Sequence, residues 1–457
     1  MSALGGVIVI TINYRLGMFG FLSTEDEQSP GNYGLWDQLE ALKWVNKNIG
    51  YFGGDASRVT LFGHSAGGYS IGLHLLSKHS YGFFQRAIAM SGLGINRRAV
   101  THGAKDAAFR VAQYARCYHG YNNVENSSVF QNSSFILQCL RSKSPHEIMA
   151  ATRKMRTSYH KYDFIMRPGP VVDNDFLEGT PEFILDNKDS DGFRTFVSVD
   201  VMAGTNDEDG WLLKSKLDKM QQTYQFNLDD GVPVNAMCDG VLKEVVRDYF
   251  DSNSAIANKI CQRYLRNSSI EAQGHSTLDL YGDMFYASPA VKTLREHRMG
   301  LRHLDNPTHK KTYHFIFSHK PSFPVISFRR KWLNGAQHGD ETWFIFRNKN
   351  FNYTKEEEKL NDNFVKYLTN FAKSGDPNAE ALEIYWPPFD IETESYLNIN
   401  RSFSIGQHLF RDRMTFWLEE LPSLQRSLSS STGSDPQHRL LSLTFLLTIL
   451  ICFVICF

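Results

Sequence analysis

Neither sign of charge is in surplus in this 457-residue chain, where 49 Lys and Arg side chains balance 49 Asp and Glu. Binding to nucleic acid draws on a basic surplus against phosphate, so nucleic acid is excluded as the main partner. No block of five like charges occurs, which excludes acidic or basic interaction tails. Six Cys are few for this length, and none stand in C-x-x-C spacing, so neither a disulfide-built mini-protein nor a zinc ribbon is encoded. Internal repeats are lacking, and low complexity is confined to residues 427–434. What is present fits a globular chain with a real core: 42% of residues are hydrophobic and 21% charged.

The N-terminus lacks a basic leader followed by an apolar stretch and a small-residue cleavage site. Met1 is followed almost at once by GGVIVITINYRL, whose Val, Ile and Thr content reads as a buried strand over 7–13. The other end looks exported. Residues 440–457 carry no charge for 18 positions, the threshold length for spanning a bilayer. A Ser-rich spacer over 423–439 precedes them. Small residues, a polar spacer and an apolar end together make a GPI-attachment signal, with Ser430 or Ser431 as the attachment point. A membrane helix is the competing reading. Five N-x-S/T sequons, at Asn126, Asn132, Asn267, Asn352 and Asn400, and an even number of Cys before the tail point to the secretory route. The expected location is the extracellular face of the membrane, or secretion. An exit-type end without an entry signal leads to the expectation that the chain is incomplete at its start.

Strands and helices alternate over the first hundred residues. A strand at 7–13, a helix over 33–48, a strand at 58–62, a helix over 66–77 and a strand at 87–90 imply a parallel sheet with helices on both faces. Further strands are expected at 197–204 and 312–318, and helices at 355–374 and 408–420. The middle reads as less regular, with an Asn/Ser-rich exposed loop at 121–135.

Gly63-His64-Ser65-Ala66-Gly67 fits G-x-S-x-G between a buried strand and a helix start. A Ser in such a turn holds its hydroxyl clear of the sheet, and small neighbours allow the strained backbone. The N–H of Ala66, at the helix N-terminus, faces a developing oxyanion. A Ser hydroxyl needs a base, and in this architecture an acid follows the Ser and a His comes last. Two segments fit that order: Asn206-Asp207-Glu208-Asp209-Gly210 and Gln337-His338-Gly339-Asp340-Glu341.

The segments NYRLGMFGFLS (13–23), GNYGLWDQ (31–38), FGGDASRVTLFGHSAGG (52–68), AIAMSG (87–92), GPVVD (169–173), AGTNDEDG (203–210), QHGDE (337–341), NFAKSGDPN (370–378) and WPPF (386–389) occur in order. With them the chain resembles the type-B carboxylesterase and cholinesterase family of α/β-hydrolases over about residues 5–422. The resemblance implies a mostly parallel central sheet flanked by helices, in a domain assigned to 1–422. It implies Ser65 as nucleophile, His338 as general base and Asp209 as the acid, with Glu208 as rival and Asp207 as a weaker one. It implies a Cys117–Cys139 disulfide. Cys238 and Cys261 have no counterpart in the family pattern and are expected to pair with each other. Under the GPI reading, Cys452 and Cys456 leave with the tail.

Departures from the family pattern bear on activity. The family carries a HGGG-like segment before the nucleophile, whose N–H groups complete the oxyanion hole, and this sequence has no HGG. The expected sheet therefore lacks its N-terminal strands, and Ala66 is the one predicted donor. Cholinesterases usually have Glu before the nucleophile, where this chain has His64. Phe164 and Met166 align loosely with acyl-pocket aromatics. The resulting expectation is a serine esterase of carboxylesterase type, needing no metal or cofactor, acting on a small ester and attached to a membrane through its tail. A homodimer is the expected assembly. An acetylcholinesterase-like enzyme and a non-catalytic, neuroligin-like adhesion protein are the alternatives.

Overall fold

The computed structural model describes the chain except for residues 94, 96–98, 102, 118–132, 159–167, 267, 305–308, 324–329, 379–381, 432–451 and 457. Its described strands are β1 (Ile8–Thr11), β2 (Thr60–His64), β3 (Arg86–Met90), β4 (Asp200–Asn206), β5 (Thr312–Phe317), β6 (Ser395–Ile399), β7 (Ser404–Gln407) and β8 (Cys452–Cys456). They form one sheet in the order β1-β8-β2-β3-β4-β5-β6-β7. Strands β2 to β6 pair in parallel, whereas β7 joins β6, and β8 joins both β1 and β2, antiparallel.

The register explains why strands so uniformly apolar still sort into two layers. Leu61 pairs with Ala87 and Ala87 with Val201, and all three face a core that holds Leu35, Leu39, Ile71, Leu73 and Phe196. One residue along, Phe62, Ile88, Met202 and Tyr313 are in register and face a second core with Phe364, Leu368 and Trp386. Successive side chains of a strand point to opposite faces, so a parallel sheet covered on both sides needs an apolar residue at every position.

The helix Tyr33–Asn48 covers the first face because Leu35, Leu39, Leu42 and Val45 recur at helical spacing and are all fully buried. On the other face, the helix Lys355–Ser374 starts at a Thr354/Glu357 capping box and stops at Gly375, whose φ of 79° ends it in the left-handed conformation.

Three sequence expectations are corrected. The middle of the chain is strongly helical, with helices at Lys214–Tyr224, Leu242–Tyr249, Ser254–Tyr264, Ile270–Gly282 and Ser288–His303. The apolar stripes of the first four, such as Leu242, Val245, Val246 and Tyr249, pack on one another in a separate aromatic-rich cluster, whereas Ser288–His303 puts Leu294 and Leu301 into the core on the first face of the sheet. The expected helix over 408–420 begins only at Arg411, because Phe410 sits at a φ of 48°. That helical stretch then continues as Leu421–Ser431, into the span read as spacer, because Leu421, Leu424 and Leu428 find the same aromatic cluster.

Both expected disulfides form, Cys117–Cys139 and Cys238–Cys261. No helix among the described residues is long and apolar enough to cross a membrane. Of the sequons, Asn126, Asn132 and Asn267 lie outside the described residues. Asn352 is exposed, and the Asn400 side-chain amide donates to Ser318. Phe164 and Met166 also lie outside the described residues.

Candidate active site

The site is assembled at the carboxyl ends of parallel strands, where loops leave the sheet. β2 ends at His64, and Ser65 follows with φ 55° and ψ −121°, an unfavourable conformation for a residue with a Cβ. Close backbone approach holds it. A Cβ on Gly63 would lie 2.6 Å from the Gly67 carbonyl carbon, and one on Gly92 would lie 2.1 Å from the Ser65 carbonyl oxygen. Gly63 therefore lets the helix Ala66–Leu75 fold back against β2, and Gly92 lets the loop after β3 slide under Ser65. Ala66 is the first residue of that helix, so its N–H is among those with no intrahelical acceptor.

His338 stands in the loop before the helix Asp340–Ile345, with Gly339 at φ 89° making the turn. Its Nε2 is 2.9 Å from Ser65 Oγ, and its Nδ1 is 2.9 Å from Asp209 Oδ1. The His338 side chain is 7% exposed and that of Asp209 is 1% exposed, so water competes little for either contact. Asp209 follows β4, and its other oxygen accepts from Ser91 Oγ at 2.9 Å and from the Asn206 N–H at 2.8 Å. These three contacts fix the direction of the Asp209 carboxyl and, with it, the imidazole orientation.

The structure brings Ser65, His338 and Asp209 together, and it turns the rival acids elsewhere. Glu208 accepts from the Asn334 N–H at 2.9 Å, and Asp207 accepts from the Ala336 N–H at 2.6 Å. Asn206 donates to the Gln337 carbonyl at 2.6 Å. The acidic turn thus has two jobs: one carboxylate addresses the imidazole, while its neighbours tie down the loop that carries it. Asp207 keeps an open edge yet is hemmed in by the Gly335–Ala336 backbone, and loss of solvation pushes its carboxyl up to about 7.

Side chains not singled out as site residues complete the setting. Ser91, in AIAMSG, and Asn206, in AGTNDEDG, hold the Asp209 carboxyl, and nothing in their type or spacing along the chain marks them. Tyr286 packs on the His338 ring at 4.9 Å between centroids, and His64 does so at 4.6 Å. Glu341, fully buried, lies 3.3 Å from His64.

Chemically, this is a hydroxyl on a strained turn, an imidazole within hydrogen-bond reach of it, and a buried carboxyl group in contact with the imidazole. A family model described as the carboxylesterase family matches residues 1–417. Cocaine esterase of Oryctolagus cuniculus is 32% identical over 449 residues, covering 96% of this chain and 74% of that protein. Bile salt-activated lipase of Bos taurus is 30% identical over 452 residues, covering 94% and 68%. Carboxylesterase 1C of Rattus norvegicus is 33% identical over 425 residues, covering 92% and 69%.

Proposed function

The chain belongs to the carboxylesterase family, and from that membership we propose that it hydrolyses carboxylic esters through an acyl-enzyme formed on Ser65. Family and relatives support ester hydrolysis as such. The observation that carries the serine mechanism is the unbroken relay from Ser65 Oγ to His338 and on to Asp209, with both contacts at 2.9 Å.

In this reading, Ser65 Oγ attacks the ester carbonyl carbon as His338 Nε2 takes its proton. Asp209 stabilises the imidazolium through Nδ1. The Ala66 N–H points a dipole at the oxyanion of the tetrahedral intermediate. His338 returns the proton to the leaving alkoxide, and the alcohol departs. Water then attacks the acyl-enzyme with His338 as base, releasing the acid and restoring the Ser65 hydroxyl.

His64 before the nucleophile favours a general carboxylesterase over a choline-ester specialist. The deciding experiment compares the native chain with Ser65→Ala on a short-chain aryl ester and with a fluorophosphonate probe. Hydrolysis and labelling that both vanish in Ser65→Ala support the reading. Equal turnover by the two proteins defeats it, and absence of labelling in the native chain favours the adhesion alternative.

The two disulfides support an extracellular or secretory setting. Glycosylation and attachment through residues 440–457 rest on the sequence patterns. A GPI anchor predicts release from cells by a phosphatidylinositol-specific phospholipase. Pairing of Cys452–Cys456 with both β1 and β2 is a competing use of the same tail, and one molecule cannot have both.

A further inference from the structure

Two buried polar atoms face each other beside the base. His64 Nε2 and Glu341 Oε1 are 3.3 Å apart, and among the described residues neither has another hydrogen-bond partner. Glu341 is fully buried, and its second oxygen accepts from Asn206 Nδ2 at 2.5 Å. The same Asn206 gives its backbone N–H to Asp209. One residue thus bridges two buried carboxyl groups that are unequally solvated. Asp209 has three donors, from Ser91, Asn206 and His338, whereas Glu341 has two, Asn206 Nδ2 and its own backbone N–H. Two neighbouring buried carboxyls do not both ionise, and the better-solvated one keeps the charge.

We propose that Glu341 holds a proton at neutral pH and donates it to His64 Nε2, so that His64 stays a neutral imidazole with its own proton on Nδ1. Asp209 then faces His338 without a second carboxylate charge from Glu341. This inference rests on His338 being the base of the esterase reading.

Without a proton between them, Nε2 and Oε1 would be two lone pairs in contact. An ionised Glu341 facing a protonated or an Nε2–H imidazole would bury a second carboxylate close to Asp209. Burial, then the Asp209 charge, hold the Glu341 carboxyl well above the usual carboxylate range. Burial, then His338, hold the His64 imidazole well below its ordinary value. The charged or titratable groups around the pair are Asp209 after β4, His338 in its loop and Asp340 on the helix of Glu341.

His64 and Glu341 act as positioning residues. The His64 ring packs on His338 at an interplanar angle of 46°. A cationic His64 there would oppose the imidazolium that catalysis must form. A second carboxylate charge would make the base too slow to return its proton to the leaving group.

The test uses the full chain with ¹⁵N-labelled His. Infrared spectra at neutral pH should show the stretch of a protonated, buried carboxyl group that disappears in Glu341→Gln. Nitrogen shifts, assigned by loss of one signal set in His64→Gln, should show His64 neutral with its proton on Nδ1. In Glu341→Gln, the acid limb of kcat/KM should keep its pH position whatever happens to the plateau. An imidazolium or an Nε2–H tautomer at His64, no protonated carboxyl band, or an acid limb displaced downward by about 1 unit or more would each overturn the proposal. Infrared and nitrogen spectra need no turnover, so failure of the esterase reading would be seen separately, as loss of probe labelling in the native chain.

Discussion

Ser91 Oγ donates to Asp209 Oδ2 at 2.9 Å, which ties the acid of the relay to the end of β3. The contact spans 118 residues and is buried, so the orientation of the acid is set by the sheet and not by the acidic turn alone. Replacing Ser91 with Ala removes one donor to a buried carboxylate. The expected result is a fall in kcat/KM of about tenfold, the order of one charged hydrogen bond, with substrate affinity little changed. Rates of ester turnover or of fluorophosphonate labelling read this out.

Asp209 and Glu208 are neighbours with different partners, and paired variants separate them. Asp209→Asn should lower kcat by on the order of 10⁴, because a neutral amide no longer holds the imidazole in the working tautomer. Glu208→Gln loosens the Asn334 contact and should cost far less in kcat, with its effect showing mainly as lowered stability. A larger kcat loss in the Glu208 variant would reassign the acid.

Asp207 gives the fold a pH dependence with a definite sign. Its carboxyl titrates at about 7 in the folded chain against an ordinary value of 3.8. Between those values, the folded state holds a proton that the unfolded state has lost. Stability therefore falls as pH rises from about 4 through about 7. Asp207→Asn can still accept from the Ala336 N–H and has no charge to desolvate. Urea midpoints at pH 5 and pH 8 should differ less for the variant than for the native chain, with the variant gaining most at pH 8.

Cys238 and Cys261 close a loop of 23 residues within the helical cluster. Removing the link by a double Cys→Ala change should lower stability by about 3 kcal/mol through the freedom returned to the unfolded chain. Denaturant unfolding measures it, and active-site labelling of the folded fraction should persist.

Among the described residues, β1 and β2 are joined through β8, so Cys452–Cys456 occupies a slot one strand wide inside the sheet. Deleting residues 440–457 should leave two strand edges unpaired. The expected outcome is a lower unfolding midpoint and stronger binding of a hydrophobic dye. A tail that serves only as an anchor predicts no change in either measurement.

Much of the site was legible because its chemistry demands local patterns. G-H-S-A-G between a strand and a helix can be read from seven or eight consecutive residues, since the strained turn at Ser65 needs small neighbours on both sides. His338 was recognised through QHGDE, where Gly339 makes the turn that aims the ring. Asp207, Glu208 and Asp209 are not separated by sequence, because three successive acids in one turn differ only in the direction their side chains leave it. The helical middle was missed for a related reason. Stripes such as Leu242, Val245, Val246 and Tyr249 were present, but what they pack against lies in other helices and not in the sheet.

By itself, the sequence determined the alternation of strands and helices and the strained serine turn. These follow from periodicity, glycine placement and composition, all local properties of the chain. Only the tertiary structure decided which acid meets His338, that Ser91 and Asn206 hold it, that His64 and Glu341 face each other, and that Cys452–Cys456 lies between β1 and β2. Those are contacts between atoms far apart in sequence. Their partners are selected by register, burial and the need to satisfy every buried polar group, and no window along the chain contains that information.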